Sequence, residues 1–515
     1  MLDSQYILIL FCLSLGISIG SAIFLFFSIV SVNFVSIHIK IISLPPLIAL
    51  LALVSNQESV ILGPWHLDSL SWLIALFVLT IGLIVQRYSV RYLHGDLAYR
   101  KYFALLTFTT VADSVAWLSD DLRLMVICWG ATLLGLTWLV KINKDWHVAR
   151  KAARQSGTLF AGSWLLLVGV VIWIAQATGH WKLSVVLTQN SLAQLDSWER
   201  TTINLLIIVA MMIPAAQWPF QGWLLNSVVA PTPVSAVMHA GIVNAGGIIF
   251  TRFSPLFDGD VAQLVLLVLS SISVLVGTGI MLVQVDYKRQ LVGSTIAQMG
   301  FMLIQCALGA YLAAMIHAVL HGLFKSALFL QSGSAIPRKG AKFTSPQLRS
   351  KRSIIPGSLL GFLVGLVFWF TSPDEGYRII SALILGWSAS IAWTQLVLTG
   401  QGFIGRIAGA ILFAGVALVY TVIHFVFEHM LHDTVSNGLQ PSMPVVLLFM
   451  VLLLAGGLFS GWLARHPSSK AFAILYLRLV RLGEPHNQMV ENHPIYLKKS
   501  FAGGRLDDER HFTVR

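Results

Sequence analysis

Charge is what this sequence has least of. Lys, Arg, Asp and Glu make up 11% of its 515 residues, against 56% hydrophobic, and the mean hydropathy is +0.78. A soluble domain carries roughly twice that charge, so an ordinary cytosolic enzyme is excluded. Cysteine is also scarce. Cys12, Cys128 and Cys306 sit inside apolar segments without paired spacing, which reads as packing and not as a disulfide or an iron–sulfur site. A Gly-rich phosphate loop, a nucleophile elbow and a Cys-rich metal motif are all missing, so no cofactor and no metal are expected. The alternating short strands of a membrane β-barrel are missing too.

What remains is a succession of apolar runs of 18 or more residues, the mark of a polytopic helical membrane protein. About fifteen spans are expected, near 6–31, 35–55, 68–87, 101–118, 122–141, 157–177, 201–229, 233–253, 261–284, 290–308, 310–333, 354–372, 377–399, 406–431 and 443–464. The first has no basic residue before it and no small-residue cleavage site, so it reads as a retained helix. The excess of positive charge, +12, points to loops on the cytoplasmic side and not to nucleic acid. Connections bearing Arg87, Arg91, Lys141, Lys144, Lys288, Arg289, Arg338 and Lys339 alternate with connections bearing Glu58, Asp120, Asp121, Asp196, Glu199, Asp374 and Glu375. By the positive-inside rule the N-terminus is expected outside and the C-terminus in the cytoplasm of a bacterial inner membrane.

The seventh span and its exit hold Pro214, Pro219, Pro231 and Pro233. A helix-interior proline deletes a backbone hydrogen bond. Irregular backbone at membrane depth survives only inside protein or beside a polar cavity. A broken helix of this kind marks ion pathways in transporters; the other reading is a simple kink and turn. A second interruption is expected at Gly333 to Pro337. Two broken helices in corresponding places suggest two inverted repeats of five helices each, over 101–253 and 261–400. They are flanked by N-terminal helices (1–100), C-terminal helices (401–464) and a basic cytoplasmic tail (465–515). A short amphipathic piece near Ala471–Leu482 reads as a surface or partner-docking helix.

His317, His321 and Lys325 are spaced i, i+4, i+8 in an apolar run, so they share one helix face. Ionisable groups at membrane depth point to function. A buried lysine becomes switchable near neutral pH, and histidine titrates there already; together they suit a proton relay. The competing reading of Lys325 is a structural partner for a carboxylate. His239 follows the Pro231/Pro233 break and is either a relay member or a packing histidine. Asp286, in Asp-Tyr-Lys-Arg, either fixes a loop or pairs a buried base. Asp113, placed near an outer helix end, is either a solvated carboxylate or an ion ligand. His424, Glu428, His429 and His432 lack the His-Glu-x-x-His order of a zinc helix and read as a wet helix end or a subunit contact.

Three segments carry a resemblance: Ala230-Pro-Thr-Pro-Val-Ser-Ala-Val-Met-His-Ala240, Gln284 to Gly300, and His317 to Ser334. Through them the chain, from about Asp68 to Ile336, resembles the large proton-pumping subunits of respiratory complex I and of multisubunit cation/proton antiporters, the subunit-5 type most closely. The resemblance implies an all-α fold with two inverted five-helix repeats, each with a broken helix. It also implies a midplane proton path in which His239, His317, His321 and Lys325 match the central relay. Two departures stand out. Where the family has Trp-Glu, this chain has Trp129-Gly130, and the family's lysine in the seventh span falls at Pro214. Loss of one acid–base pair beside a retained relay resembles the membrane subunit of the DAB inorganic-carbon accumulation system. That implies a large cytoplasmic, zinc-binding, carbonic-anhydrase-like partner on which cation influx drives CO2 to bicarbonate. An accessory subunit of a complex I or hydrogenase-type complex and a Mrp-type Na+/H+ antiporter subunit are the alternatives.

Overall fold

The computed structural model describes residues 4–484 except 28–30, 56–58, 258, 333–350, 372–377, 398–401, 436–437, 440–441 and 467. The interruption expected at Gly333 to Pro337 and the tail beyond residue 484 lie outside the described residues.

The chain opens with α1 (Ser4–Phe24), α2 (Phe34–Ile41) and α3 (Leu44–Ser55), followed by α4 (Ser69–Tyr92), α5 (Tyr99–Leu118), α6 (Leu122–Val140) and the long α7 (His147–Thr178). Two short helices, α8 (Leu183–Val186) and α9 (Gln189–Leu192), lead to α10 (Ser197–Met212). The next stretch is broken into α11 (Gly222–Asn226), α12 (Thr232–Ala240), α13 (Ala245–Arg252) and α14 (Ser254–Phe257). Long helices then resume as α15 (Ala262–Val283), α16 (Tyr287–Ala307), α17 (Tyr311–Leu330), α18 (Lys351–Thr371), α19 (Arg378–Leu396), α20 (Gly402–Leu431) and α21 (Met443–Arg465), with α22 (Lys470–Gly483) last.

Among the described residues nine helices or abutting pairs are long and apolar enough to cross a membrane. Two features keep others below that mark. α10 stops at 16 residues, and α5 and α16 dilute their apolar runs with Arg100, Lys101 and Asp113 or with Lys288, Arg289 and Gln290. Large apolar side chains such as Leu165, Leu275 and Phe362 remain exposed along these helices. An outward apolar surface is what lipid requires, because the polar backbone is already satisfied within each helix.

One element has no helical pattern. Val60–Leu62 (β1) and Trp65–Leu67 (β2) pair antiparallel across Gly63-Pro64, with Gly63 at φ 62°, a conformation that favours glycine. This hairpin joins α3 to α4. It hands over to Asp68, which caps α4 by accepting from the Ser71 backbone N–H at 2.7 Å.

At that corner Arg252, from the end of α13, reaches Asp68 at 3.3 Å. The same guanidinium donates to Ser71 Oγ and to the Trp117 carbonyl at 3.1 Å. Asp68 and the Arg252 side chain are both buried. Burial pushes the Asp68 carboxyl up, but Arg252, His66 and two hydrogen bonds from Ser71 together hold it below the usual carboxylate range. A buried pair with its remaining hydrogen bonds filled is costly to break from either side.

α15 and α16 lie side by side at close range. A Cβ on Gly277 would come 2.5 Å from the Ala297 nitrogen, and one on Gly293 would come 2.6 Å from the Met281 nitrogen, so only glycine admits this approach. The tight pair holds the wall of α16 that faces α17. α22, capped by Ser469, lies against α15, where Leu479 packs over Gly279, and exposes Ile474, Tyr476 and Leu477.

Candidate functional site

The interior of the bundle is organised by two breaks. α10 ends at Met212, two residues before Pro214, and the chain turns with Ala216 at φ 52° before the cis Trp218–Pro219 bond. The backbone groups set free are taken up locally. Gln217 N–H donates to Met212 O at 2.9 Å, Trp223 Nε1 to Ile213 O at 2.7 Å, and Trp218 N–H to Ser273 Oγ at 3.0 Å. Gln217 Nε2 donates to Ala215 O at 2.8 Å, while its Oε1 is buried and, among the described residues, without a partner. The second break lies between α12 and α13. Pro231 caps α12 and Pro233 occupies its first turn, where proline costs nothing because those N–H groups have no helical partner. The helix then stops at Gly241, and Asn244 Nδ2 bridges the gap to Ala240 O at 2.6 Å and to Ala318 O of α17 at 3.2 Å.

His239 lies in the last turn of α12, buried, with its ring stacked on Phe329 of α17 at 4.2 Å between centroids. Its Nδ1 is 3.1 Å from Thr295 Oγ1, and that hydroxyl donates to Leu291 O at 3.0 Å. With its own proton committed, Thr295 accepts, so His239 carries its proton on Nδ1 and keeps Nε2 as an acceptor. The same Leu291 carbonyl accepts from Lys325 Nζ at 3.1 Å. One carbonyl of α16 therefore fixes Lys325 on one side and, through Thr295, His239 on the other.

Lys325 is 2% exposed, and among the described residues no carboxylate lies within ion-pair distance of it. A buried ammonium without a counter-ion is expensive, which is the condition under which a lysine can give up its proton. One turn away along α17 is His321. Both its ring nitrogens are buried and, among the described residues, hydrogen-bonded to nothing. A turn further is His317, whose ring is 6.1 Å from that of His321 and whose Nδ1 lies 3.1 Å from Gln305 Oε1. An unpartnered buried imidazole costs about 1–3 kcal/mol, a cost seen where a group acts and does not merely pack.

The residues His317, His321, Lys325 and His239, expected to act together, thus form one line between α12, α16 and α17. Gln305, Thr295 and the Leu291 carbonyl complete it; glutamine and threonine in an apolar helix gave only a weak sequence signal. Asp286 stands apart. It is exposed and accepts from the Arg289 N–H at 2.9 Å as the cap of α16, so its carboxylate orders the start of the helix whose carbonyl holds Lys325. His424 and Glu428 form an exposed contact at 3.7 Å, away from this line. Asp113 is buried, not solvated, and accepts from Trp117 Nε1 at 2.8 Å.

The position of Gly130 is closed. A Cβ there would lie 2.5 Å from Trp164 Nε1, and that indole is anchored to Val126 O at 2.9 Å. Pro214 is buried in the turn after α10.

Residues 119–407 match the family described as NADH:quinone oxidoreductase/Mrp antiporter, TM. Residues 63–103 match the family described as NADH-ubiquinone oxidoreductase (complex I), chain 5 N-terminus. A protein of Bacillus subtilis (strain 168) named probable inorganic carbon transporter subunit DabB is 59% identical over 91% of this chain and 93% of that protein. One of the same name from Bacillus anthracis is 56% identical over 98% and 99%. Among solved structures, the Mrp complex from Dietzia sp. DQ12-45-1b aligns with a TM-score of 0.65 at 21% identity, over 98% of this chain and 60% of that chain, a likeness of fold.

Proposed function

The chain belongs to the NADH:quinone oxidoreductase/Mrp antiporter family of membrane subunits, and from that premise we propose that it conducts a cation to energise inorganic carbon uptake. It is a transport subunit and not itself the catalyst. Its relatives' names supply the carbon, and the resemblance supplies the partner, a large cytoplasmic zinc-binding protein like a carbonic anhydrase that hydrates CO2 to bicarbonate. The ion is a proton. Lys325 accepts and releases it, His317 and His321 pass it along α17, and His239 links the line to the broken helices. The N-terminus is outside, and the basic face on the cytoplasmic side docks the partner.

One observation carries this reading. Four ionisable side chains stand in a row whose hydrogen-bond partners, among the described residues, are all neutral: Gln305, Thr295 and the Leu291 carbonyl. Neutral partners leave each group free to change charge, where a carboxylate would pin Lys325 as a permanent cation. The test is growth at ambient CO2 of a carbonic-anhydrase-deficient bacterium expressing this chain with the product of the adjacent gene. Rescue is expected; no rescue with both proteins well expressed would overturn the reading. A neighbouring set of redox subunits, or of small antiporter subunits, would point instead to an electron-transfer complex or a Na+/H+ antiporter.

A further inference from the structure

Asp113 is a buried carboxylate that the His317–Lys325 line does not use. It faces a cavity with about 20 Å³ of room for water centres, lined among others by Phe77, Thr109, Thr110, Thr132 and Gly241. That is enough to hold a water. Among the described residues Asp113 is the sole ionisable side chain in the lining. α4, α6 and the α12–α13 junction present to it only apolar groups, a hydroxyl and a glycine, and Trp117, one turn further along α5, donates its hydrogen bond. His38, on α2, meets α5 further along, at Thr107.

The polarity of this chamber is one-sided. Thr109 Oγ1 donates to Leu105 O at 2.7 Å, Thr110 Oγ1 to Leu106 O at 3.0 Å, and Thr132 Oγ1 to Cys128 O at 3.0 Å. Each hydroxyl has spent its proton on its own helix, so it can only accept from a guest in the cavity. Three hydroxyl acceptors and a carboxylate suit a proton or a cation and repel an anion such as bicarbonate. A second space, with about 10 Å³ of such room, shares Thr110 and is bordered by Ser18, Gln86 and Thr107. On the opposite side the wall is the break in α12–α13. There Phe77 also packs against Gly322, the residue after His321. The chamber therefore abuts the relay with one aromatic ring between them.

We propose that Asp113, with the hydroxyls of Thr109, Thr110 and Thr132, is a second proton-loading site, distinct from the His317–Lys325 line and supplying it. The carboxylate takes up one proton from a hydronium in the cavity to become the neutral acid and returns it to water as the bare anion; the threonine hydroxyls accept hydrogen bonds from that water. The site lies beside the closed position of Gly130, because Trp117 packs on Trp129 with ring centroids 5.3 Å apart. It thus restores an acid to the half of the chain that lacks the family's. This inference rests on the proton-conducting reading above.

The test uses membranes holding the full chain, treated with dicyclohexylcarbodiimide, which adds to protonated carboxyls in apolar surroundings. Peptide mass spectrometry is expected to find the adduct on Asp113 and to find it undiminished by sodium. No adduct would overturn the proposal, and protection by sodium would replace the proton with that cation. Asp113→Asn keeps an oxygen for the Trp117 N–H to meet and so leaves the fold intact. It is expected to lose most carbon-dependent growth, with Asp113→Glu restoring it. Wild-type growth of Asp113→Asn beside a dead Lys325→Ala would sink the second site and leave the function standing. An adduct on Asp113, with no rescue by the unaltered chain and its neighbour, would sink the carbon function and leave the proton site.

Discussion

The two halves of this chain treat the same buried space in opposite ways. In one, α17 holds His317, His321 and Lys325 among neutral partners, with an imidazole whose nitrogens are hydrogen-bonded to none of the described residues. In the other, the positions where the resemblance expects an acid and a lysine are Gly130 and Pro214. An indole fills the first and a turn after α10 takes the second. In the first, among the described residues, a buried amine and two imidazoles meet no charged partner. In the second, the two positions are occupied by neutral packing, although Trp129 Nε1 and Gln217 Oε1 beside them are also unpartnered among the described residues. The difference teaches that a shared fold does not carry its acid and base with it, so each half has to be read by its own ionisable side chains.

The comparison is broken most completely by Lys325→Ala. It should abolish rescue of growth at ambient CO2 while the protein stays in the membrane at normal level; wild-type growth would remove the lysine from any relay. Next in size is Arg252→Ala, which touches neither line. Removing one member of a buried ion pair costs about 3–5 kcal/mol, to be read as a lowered thermal midpoint in detergent, with activity per folded molecule retained. The pair also sets a pH limit. Asp68 has its carboxyl depressed below the ordinary value of 3.8. Its stabilisation is therefore complete above the unfolded pKa and is lost as pH falls through the folded one. Unfolding should steepen below about pH 4 in the parent, and not in Asp68→Asn.

Gly130→Glu sharpens the comparison from the other side. Put back alone, the acid collides with Trp164, and overpacking of this kind costs about 1–3 kcal/mol. A fall in the thermal midpoint that Trp164→Ala relieves is expected; a stable Gly130→Glu with unaltered midpoint would show that the site was never closed. The smallest effect belongs to Gln305→Ala, which deletes the partner of His317 Nδ1 at about 1 kcal/mol. It should slow transport while leaving Lys325-dependent activity measurable.

Most of the helices were legible, because an apolar run longer than the membrane is thick has little choice of structure. The row of His317, His321 and Lys325 was legible for the same reason: ionisable residues in such a run are few enough to name. Less legible were features that depend on contacts far apart in the chain. The Arg252–Asp68 pair joins residues 184 positions apart, and neither residue belongs to a local pattern. Thr295 and Gln305 look like incidental polarity until α16 is laid beside α12 and α17. Asp113 was placed near an outer helix end, where water was a natural neighbour; the packing of α4, α6 and α12 around it is tertiary. The hairpin at Val60–Leu67 was missed because three-residue strands are too short to show alternation, although Gly63-Pro64 marks its turn.

The corner where Arg252 meets Asp68 has a consequence for biogenesis. A membrane protein is threaded into the bilayer in order, and Asp68 arrives at the start of α4 while its counter-ion is still unmade. Until α13 emerges, the carboxylate has only its local partners, Ser71 and His66, and its charge is balanced by no arginine. When Arg252 appears, it draws together the start of α4, the end of α5 at Trp117 and the second broken helix in one contact. The corner thus couples the order of synthesis to the order of packing: early helices are locked only once a residue 184 positions later has arrived.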